Sequence, residues 1–229
     1  EPEARFLRHQ IRDTIVFFGS ARLKDRETAE RMRAEAVSEQ EIKRAEQALA
    51  GSRYYEAARE LANRLTRWAA EVKNDGRHFM ICTGAGPGIM EAANRGAAEA
   101  GGQSVGLGIS LPMESQNDYV PQELAFQFHY FFMRKLWFAY LAKAFIVFPG
   151  GFGTLDELME VLTLQQTVKI RKPIRTVVYG SDFWEKVIGF DALEELGTID
   201  ADDRKLFNHV DSVDEAFESV TSWLRENYL

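Results

Sequence analysis

The sequence of 229 residues contains one cysteine and four histidines. A single cysteine excludes an intramolecular disulfide, and Cys82 ends the apolar run Phe79–Cys82, where a buried packing role is favoured over reactivity. None of the spacings typical of zinc ligands is found among the histidines, which are His9, His78, His129 and His209. We therefore expect neither a metal site nor a bound cofactor.

Positive charge and long apolar runs are also scarce. Lysine and arginine total 28 against 35 aspartates and glutamates, which gives a formal charge of -7 and a pI near 5.3. A nucleic-acid polymer is therefore excluded as a partner, although a pocket for one phosphate is not. Residues 136–153 are interrupted by Lys143 and a Pro-Gly-Gly turn, and residues 1–10 lack a signal-peptide pattern. These features predict a soluble, cytoplasmic protein and no membrane partner.

Short apolar runs alternate with helical patterns along most of the chain. Runs that are apolar throughout are typical of parallel strands covered by helices on both faces. Strands are predicted at Thr14–Gly19, His78–Cys82, Ser104–Ile109, Ala144–Phe148 and Thr176–Tyr179, with weaker candidates at Leu124–Phe128 and Phe207–Val210. Helices are predicted at Gly88–Ala100, Phe132–Ala142, Thr154–Val168, Phe183–Leu196 and Val213–Asn227.

The segment from about Lys24 to Asn74 is rich in alanine, glutamate and arginine, and its one break is Gly51-Ser52. This composition predicts two long helices or a helical hairpin. Because no linker or repeat divides the chain, we predict a single Rossmann-like nucleotide-binding domain over residues 1–229. Its class is α/β, doubly wound, with a mainly parallel sheet, helices on both faces and an N-terminal helical extension.

Three glycine-bearing turns follow predicted strands, at residues 19–22, 84–88 and 149–154. Turns at the carboxyl ends of parallel strands open on one edge of the sheet, where glycine allows the backbone to approach a ligand and helix N-termini attract anions. A Walker loop is absent, and Gly84–Gly88 lacks the spacing of the dinucleotide motif. The turns therefore favour a monophosphate ligand.

Thr154 and Glu157 allow two interpretations. Thr-x-x-Glu at the start of a helix is a capping box, in which the glutamate closes back on the threonine backbone, or Glu157 is a carboxylate of the site. Glu160 shares the face of Glu157, and the basic pair Arg134-Lys135 is either a ligand of phosphate or base, or surface charge. The aromatic run 126–132 is either core or an exposed patch for self-association.

The sequence PGGFGTLDE at 149–157 resembles the PGGxGTxxE signature of the Lonely Guy (LOG) phosphoribohydrolases, which are also labelled lysine decarboxylase-like. Met133-Arg134-Lys135 matches the arginine-lysine segment of that family. Residues 83–97 resemble its GGGxxGxM stretch, with Ala85 in place of one glycine. The resemblance extends from about Thr14 to the final helix, and the segment 24–74 is similar to the extension of longer members.

The resemblance implies a hydrolase that splits a nucleoside 5′-monophosphate, a cytokinin riboside monophosphate or AMP, into free base and ribose 5-phosphate. It implies a homodimer and a catalytic pair, Arg134 and Glu157. The implied phosphate ligands are Gly150, Gly151, Gly153 and Thr154. The implied contacts to the rest of the nucleotide are Ser20, Gly84, Gly86, Gly88, Met133 and Glu160.

Two other functions compete with hydrolysis. A non-catalytic nucleotide carrier or sensor would need the glycine turns but not the carboxylate of Glu157. Amino-acid decarboxylation usually depends on pyridoxal phosphate bound to a lysine, and neither Lys143 nor Lys169 lies in a recognisable motif for that cofactor. Decarboxylation is therefore disfavoured.

Overall fold

The computed structural model describes residues 2–72, 78–110 and 116–229, and these form a seven-stranded sheet flanked by helices. The strands are β1 (Thr14–Phe18), β2 (Met80–Thr83), β3 (Val105–Ile109), β4 (Ala125–Phe128), β5 (Ala142–Val147), β6 (Arg175–Tyr179) and β7 (Asn208–Val210). The α-helices are α1 (Pro2–Arg8), α2 (Arg26–Glu35), α3 (Glu39–Glu71), α4 (Ile89–Glu99), α5 (Phe131–Leu141), α6 (Phe152–Gln166), α7 (Ser181–Val187), α8 (Phe190–Glu195) and α9 (Val213–Tyr228). Two 3-10 helices cover Gln122–Leu124 and Ala201–Leu206.

The strand order is β4-β3-β2-β1-β5-β6-β7, and every described pair of neighbours is parallel. The chain builds outward from β1 to β4 on one side and from β5 to β7 on the other. The order therefore reverses between β1 and β5, and doubly wound sheets bind ligands at such a reversal. This topology confirms the predicted fold class and places the expected crevice beyond the carboxyl ends of β1 and β5.

Helices cover both faces of the sheet and create two apolar cores. In β1, Ile15 and Phe17 enter the core shared with α3, α4 and α9, whereas Val16 and Phe18 enter the core shared with α5, α6 and α7. All four side chains are at most 4% exposed. Because successive strand residues point to opposite faces, a continuously apolar strand supplies both cores.

Cys82 lies within β2 and is 1% exposed, which confirms the predicted packing role. Burial raises the pKa of its thiol, because a thiolate in an apolar core would lose its hydration. The side chain is therefore inert as a nucleophile.

The helical extension differs from the prediction at its break. Helix α3 runs without interruption through Gly51-Ser52, and the break lies at residues 36–38, where Ser38 and Glu41 form a capping box. Gly51 is buried against the side chain of Leu23, so it permits close packing and does not end the helix. The end predicted at Asn74 lies outside the described residues.

Two further differences concern helices. The helix predicted at Phe183–Leu196 is two short ones, because Ile188 is extended and Gly189 also leaves the helical region, with φ -77° and ψ 72°. Helix α1 was not predicted, since only Phe6 of its seven residues is buried and so short an apolar pattern gives little periodicity.

The extension packs directly on α4. Helices α3 and α4 approach so closely that a β-carbon on Gly96 would collide with the carbonyl oxygen of Arg59. The buried side chains of α3 belong to the same core as those of β1 and α4. We propose that residues 1–229 fold as one domain. Within the described ranges, no helix combines the length and apolar character that crossing a membrane requires.

Candidate functional site

The three glycine turns meet at the carboxyl edge of the adjacent strands β2, β1 and β5, as the sequence predicts. Backbone hydrogen bonds join them: Ser20 N–H donates to Pro149 O at 3.0 Å, and Ile89 N–H donates to Ser20 O at 3.1 Å. The turn after β1 is therefore held between the other two. Because these hydrogen bonds link the turns, the position of each glycine turn depends on the other two.

A cleft of 730 Å³ opens above these turns. Its lining combines the turns with residues of α5 and α6. Seven of the residues predicted to bind or act on a ligand line it: Ser20, Gly84, Arg134, Gly151, Gly153, Thr154 and Glu157. Residues from four separate parts of the sequence are thus brought together at the predicted edge.

The turn at 149–154 delivers the N-terminus of α6 to the cleft. Gly151 is the N-cap residue, and no side chain caps the helix there within the described structure. The first N–H groups of an α-helix have no acceptor inside the helix and carry a partial positive charge. Because Gly151, Gly153 and Thr154 all line the cleft, this helix end is well placed to receive an anion.

Arg134 and Glu157 form an ion pair at the side of the cleft. Arg134 Nη2 donates to Glu157 Oε1 at 2.8 Å, and the two side chains are only 11% and 12% exposed. Helix α6 begins at Phe152, so Thr154 lies inside it, and the Glu157 carboxylate reaches α5. The capping-box interpretation is therefore wrong.

Arg134 retains hydrogen-bonding capacity. Its Nε is buried and has no hydrogen-bond partner among the described residues. Its guanidinium carbon lies 5.5 Å from the ring centres of both Phe131 and Phe138, so two aromatic rings pack against it. A buried donor without a partner is rare in folded proteins, and a bound ligand is one way to satisfy it.

A buried polar network that sequence reasoning missed supports the turn after β2. Thr83 Oγ1 donates to Asn94 Oδ1 at 2.7 Å and accepts from the N–H of Ala85 at 2.9 Å. Asn117 Nδ2 donates to the Gly86 carbonyl at 2.9 Å. Ala85 has φ of 60°, the left-handed conformation that glycine adopts more easily. The available signal was Asn94, a polar residue on the apolar face of α4.

Five predicted nucleotide contacts do not line the cleft in the described structure: Gly86, Gly88, Gly150, Met133 and Glu160. Two of these glycines shape turns. A β-carbon on Gly88 would collide with Ser20 O, and one on Gly150 would collide with the Thr154 hydroxyl. The direct contacts of all five with a nucleotide remain predictions.

Arg22, Phe131 and Phe152 are among the lining residues that were not predicted as ligands. Arg22 follows Ser20 in the first glycine turn, and its backbone N–H donates to the Ser20 hydroxyl at 3.1 Å. Phe152, between two glycines of the third turn, is 93% exposed. The signal for Arg22 and Phe152 was their place in two of the glycine turns, and the signal for Phe131 was its place three residues before Arg134.

The sequence is similar to plant phosphoribohydrolases. It is 34% identical over 125 residues to cytokinin riboside 5′-monophosphate phosphoribohydrolase LOG7 of Arabidopsis thaliana, a match covering 53% of this chain and 52% of that protein. It is 38% identical over 74 residues to LOG of Oryza sativa subsp. japonica, covering 32% and 30%. The matches thus span about half or less of these relatives.

Residues 90–220, more than half of the chain, match the family described as possible lysine decarboxylase. The chain belongs to the LOG family. The matched region of this LOG-family chain contains both Arg134 and Glu157 as well as the whole third glycine turn.

Solved structures support the fold of the LOG-family chain. The molybdenum cofactor binding protein of Rippkaea orientalis has a TM-score of 0.57 at 16% identity, over 93% of this chain and 98% of that one. The Moco carrier protein of Chlamydomonas reinhardtii has a TM-score of 0.51 at 19% identity, over 94% and 99%. At these identities the similarity concerns the fold alone.

Proposed function

We propose that this chain hydrolyses the N-glycosidic bond of nucleoside 5′-monophosphates, giving free base and ribose 5-phosphate. AMP and cytokinin riboside 5′-monophosphates are the proposed substrates. The observation that carries the proposal is the Arg134–Glu157 ion pair of 2.8 Å in the lining of the cleft that also receives the glycine turn of α6. A protein that only binds the nucleotide needs the turn, whereas a largely buried carboxylate beside the turn suits glycoside cleavage.

The proposed chemistry divides the work between the two side chains. Cleavage of a glycosidic bond passes through a cation-like sugar, which the Glu157 carboxylate stabilises while it orients the attacking water. Arg134 supplies a guanidinium, so it anchors the nucleotide and stabilises negative charge on the departing base. The N-terminus of α6, with Gly151, Gly153 and Thr154, holds the 5′-phosphate.

The direct test is an assay of product release. The intact chain is incubated separately with AMP, GMP, CMP and isopentenyladenosine monophosphate, and free base and ribose 5-phosphate are measured by chromatography. Release of base from at least one nucleotide is the expected result. Nucleotide binding without any release would instead indicate a carrier or sensor, and would exclude the hydrolase.

The lysines do not favour decarboxylation. No lysine lines the cleft in the described part of the chain. Lys143 directs its ammonium onto the ring of Tyr228, 4.3 Å from the ring centre. A lysine that forms a Schiff base with pyridoxal phosphate must reach the cofactor inside the site. The geometry therefore supports the hydrolase proposal over the decarboxylase label.

Arg22 is expected to contribute to phosphate selectivity. It and Arg134 are the two cationic residues that line the cleft in the described structure, and Arg134 already pairs with Glu157. Replacing Arg22 with methionine should raise KM for AMP about tenfold, because one charge-assisted hydrogen bond to phosphate contributes about 1.5 kcal/mol. Steady-state kinetics with AMP and with adenosine test this, since activity towards adenosine should not change.

Arg26→Met provides the matched control, because Arg26 lies on α2 and its charge pairs with Glu30 at 2.9 Å. Its KM for AMP should equal that of the intact chain. A KM for AMP unchanged by Arg22→Met would show that Arg22 does not contact the phosphate.

We also propose a homodimer whose seam includes α5. Phe132, Leu136 and Tyr140 follow one another at helical spacing of four residues and are 67%, 56% and 58% exposed. Such a stripe has the character of an interface and adjoins Phe131 in the cleft lining. Light scattering should give twice 26.1 kDa, and Leu136→Glu should give 26.1 kDa. A monomer for the intact chain would contradict the proposal.

A further inference from the structure

Lys135, the residue after Arg134, also contacts α6. Its ammonium lies 2.8 Å from Asp156 Oδ1 and 2.7 Å from Glu160 Oε2, and its side chain is 17% exposed. Burial disfavours the charged form, but the hydrogen bond to Asp156 and the ion pair with Glu160 outweigh burial and raise the pKa of Lys135. The ammonium is therefore charged at neutral pH and is held by two carboxylates at once.

The two residues that Lys135 contacts, Asp156 and Glu160, lie on either side of Glu157 in the sequence. Asp156 precedes Glu157, and Glu160 follows it by about one helical turn. Arg134 binds Glu157 itself, so two consecutive residues of α5 hold three carboxylates on α6. One ion pair between two helices permits rotation about the contact, whereas three contacts spread over about one turn of the side of α6 that faces α5 restrain both the rotation and the translation of α6.

The ion pairs of Arg134 and Lys135 also neutralise negative charge near the cleft. Three carboxylates within residues 156–160 would repel an anionic nucleotide and one another. Isolated surface ion pairs contribute little to stability. Lys135 differs from such a pair because it is largely buried and bridges two carboxylates, so its removal would leave two negative charges without their cation beside Glu157.

We propose that Lys135 is a positioning residue: by bridging Asp156 and Glu160 it keeps α5 and α6 in the register at which Arg134 meets Glu157. This role rests on the proposed hydrolase function. Lys135 itself does not line the cleft in the described structure, so it acts through the Arg134–Glu157 pair.

The test combines kinetics with a measurement that does not require activity. Lys135→Met should lower kcat about tenfold with KM nearly unchanged, because a displacement of about 1 Å in a catalytic group is costly. Lys135→Arg, which can still bridge two carboxylates, should recover most of the loss. The NMR signals of the Arg134 guanidinium protons are identified by their absence from the spectrum of Arg134→Lys. These protons should exchange slowly with solvent in the intact chain and rapidly in Lys135→Met.

Lys205→Met is the matched control, since Lys205 forms an exposed ion pair with Asp202 far from α5 in sequence. It should change neither kcat nor the Arg134 signals. If Lys135→Met fails to fold, the double variant Asp156→Ala and Glu160→Ala removes the same bridge from α6 and should also abolish the slow exchange.

Unchanged Arg134 signals in a folded bridge-breaking variant would overturn the positioning role, and so would a kcat equal to that of the intact chain. The experiments distinguish failure of the positioning role of Lys135 from failure of the hydrolase proposal. If the intact chain releases base from no nucleotide, the hydrolase proposal fails, while loss of slow exchange at Arg134 in Lys135→Met would still support the bridge.

Discussion

Glu157→Gln is expected to reduce kcat for nucleotide hydrolysis about a thousandfold while leaving nucleotide affinity nearly unchanged. Glutamine keeps the shape of the side chain and an oxygen that can accept from Arg134, which lies 2.8 Å away in the intact chain. It removes the negative charge that stabilises the cation-like sugar and the base that activates water, and losses of about 10²–10⁴ are typical for such groups. Steady-state kinetics and calorimetric titration with AMP measure the two quantities.

The control for this variant is Glu218→Gln on α9, which makes the same chemical change where Glu218 accepts a hydrogen bond from Ser222. It should retain full kcat. Activity of Glu157→Gln within tenfold of the intact chain would show that Glu157 is not the catalytic carboxylate. A large loss of affinity instead of kcat would assign Glu157 to binding.

The sequence was sufficient to predict the sheet and the edge at which the candidate site lies. Continuous apolar runs such as 144–148 indicated parallel strands, and parallel strands place the turns that follow them on one side. Local pattern was insufficient for Glu157, because Thr154-x-x-Glu157 fits a capping box and a catalytic carboxylate equally well. The contact that argues against the capping box is with Arg134, which is 23 positions away in the sequence.

Other features were missed for similar reasons. The bridge from Lys135 to Asp156 and Glu160 depends on how α5 docks on α6, and sequence spacing within one helix carries no information about that docking. The continuity of α3 depends on tertiary packing, because Gly51 faces Leu23 at close range. In each case a long-range contact determines the role of a residue whose local pattern has two interpretations.

Gly151→Ala is expected to weaken AMP binding about a hundredfold without destabilising the fold. A β-carbon at Gly151 meets no atom of the described structure within 4 Å, and φ of -95° suits alanine. The added methyl group would face the cleft, where it keeps a phosphate away from the N–H groups of α6. Losing two charge-assisted hydrogen bonds costs about 3 kcal/mol, or about a hundredfold in affinity.

Gly150→Ala, one residue earlier, distinguishes phosphate exclusion from damage to the turn. Its β-carbon would collide with the Thr154 hydroxyl, so both the melting temperature and AMP affinity should fall. For Gly151→Ala, the melting temperature should remain within about 2 °C of the intact chain. If Gly151→Ala binds AMP as tightly as the intact chain, the phosphate does not approach this turn. If Gly151→Ala lowers AMP affinity but not the melting temperature, the methyl group obstructs the ligand and not the protein, because no described atom lies within 4 Å of it.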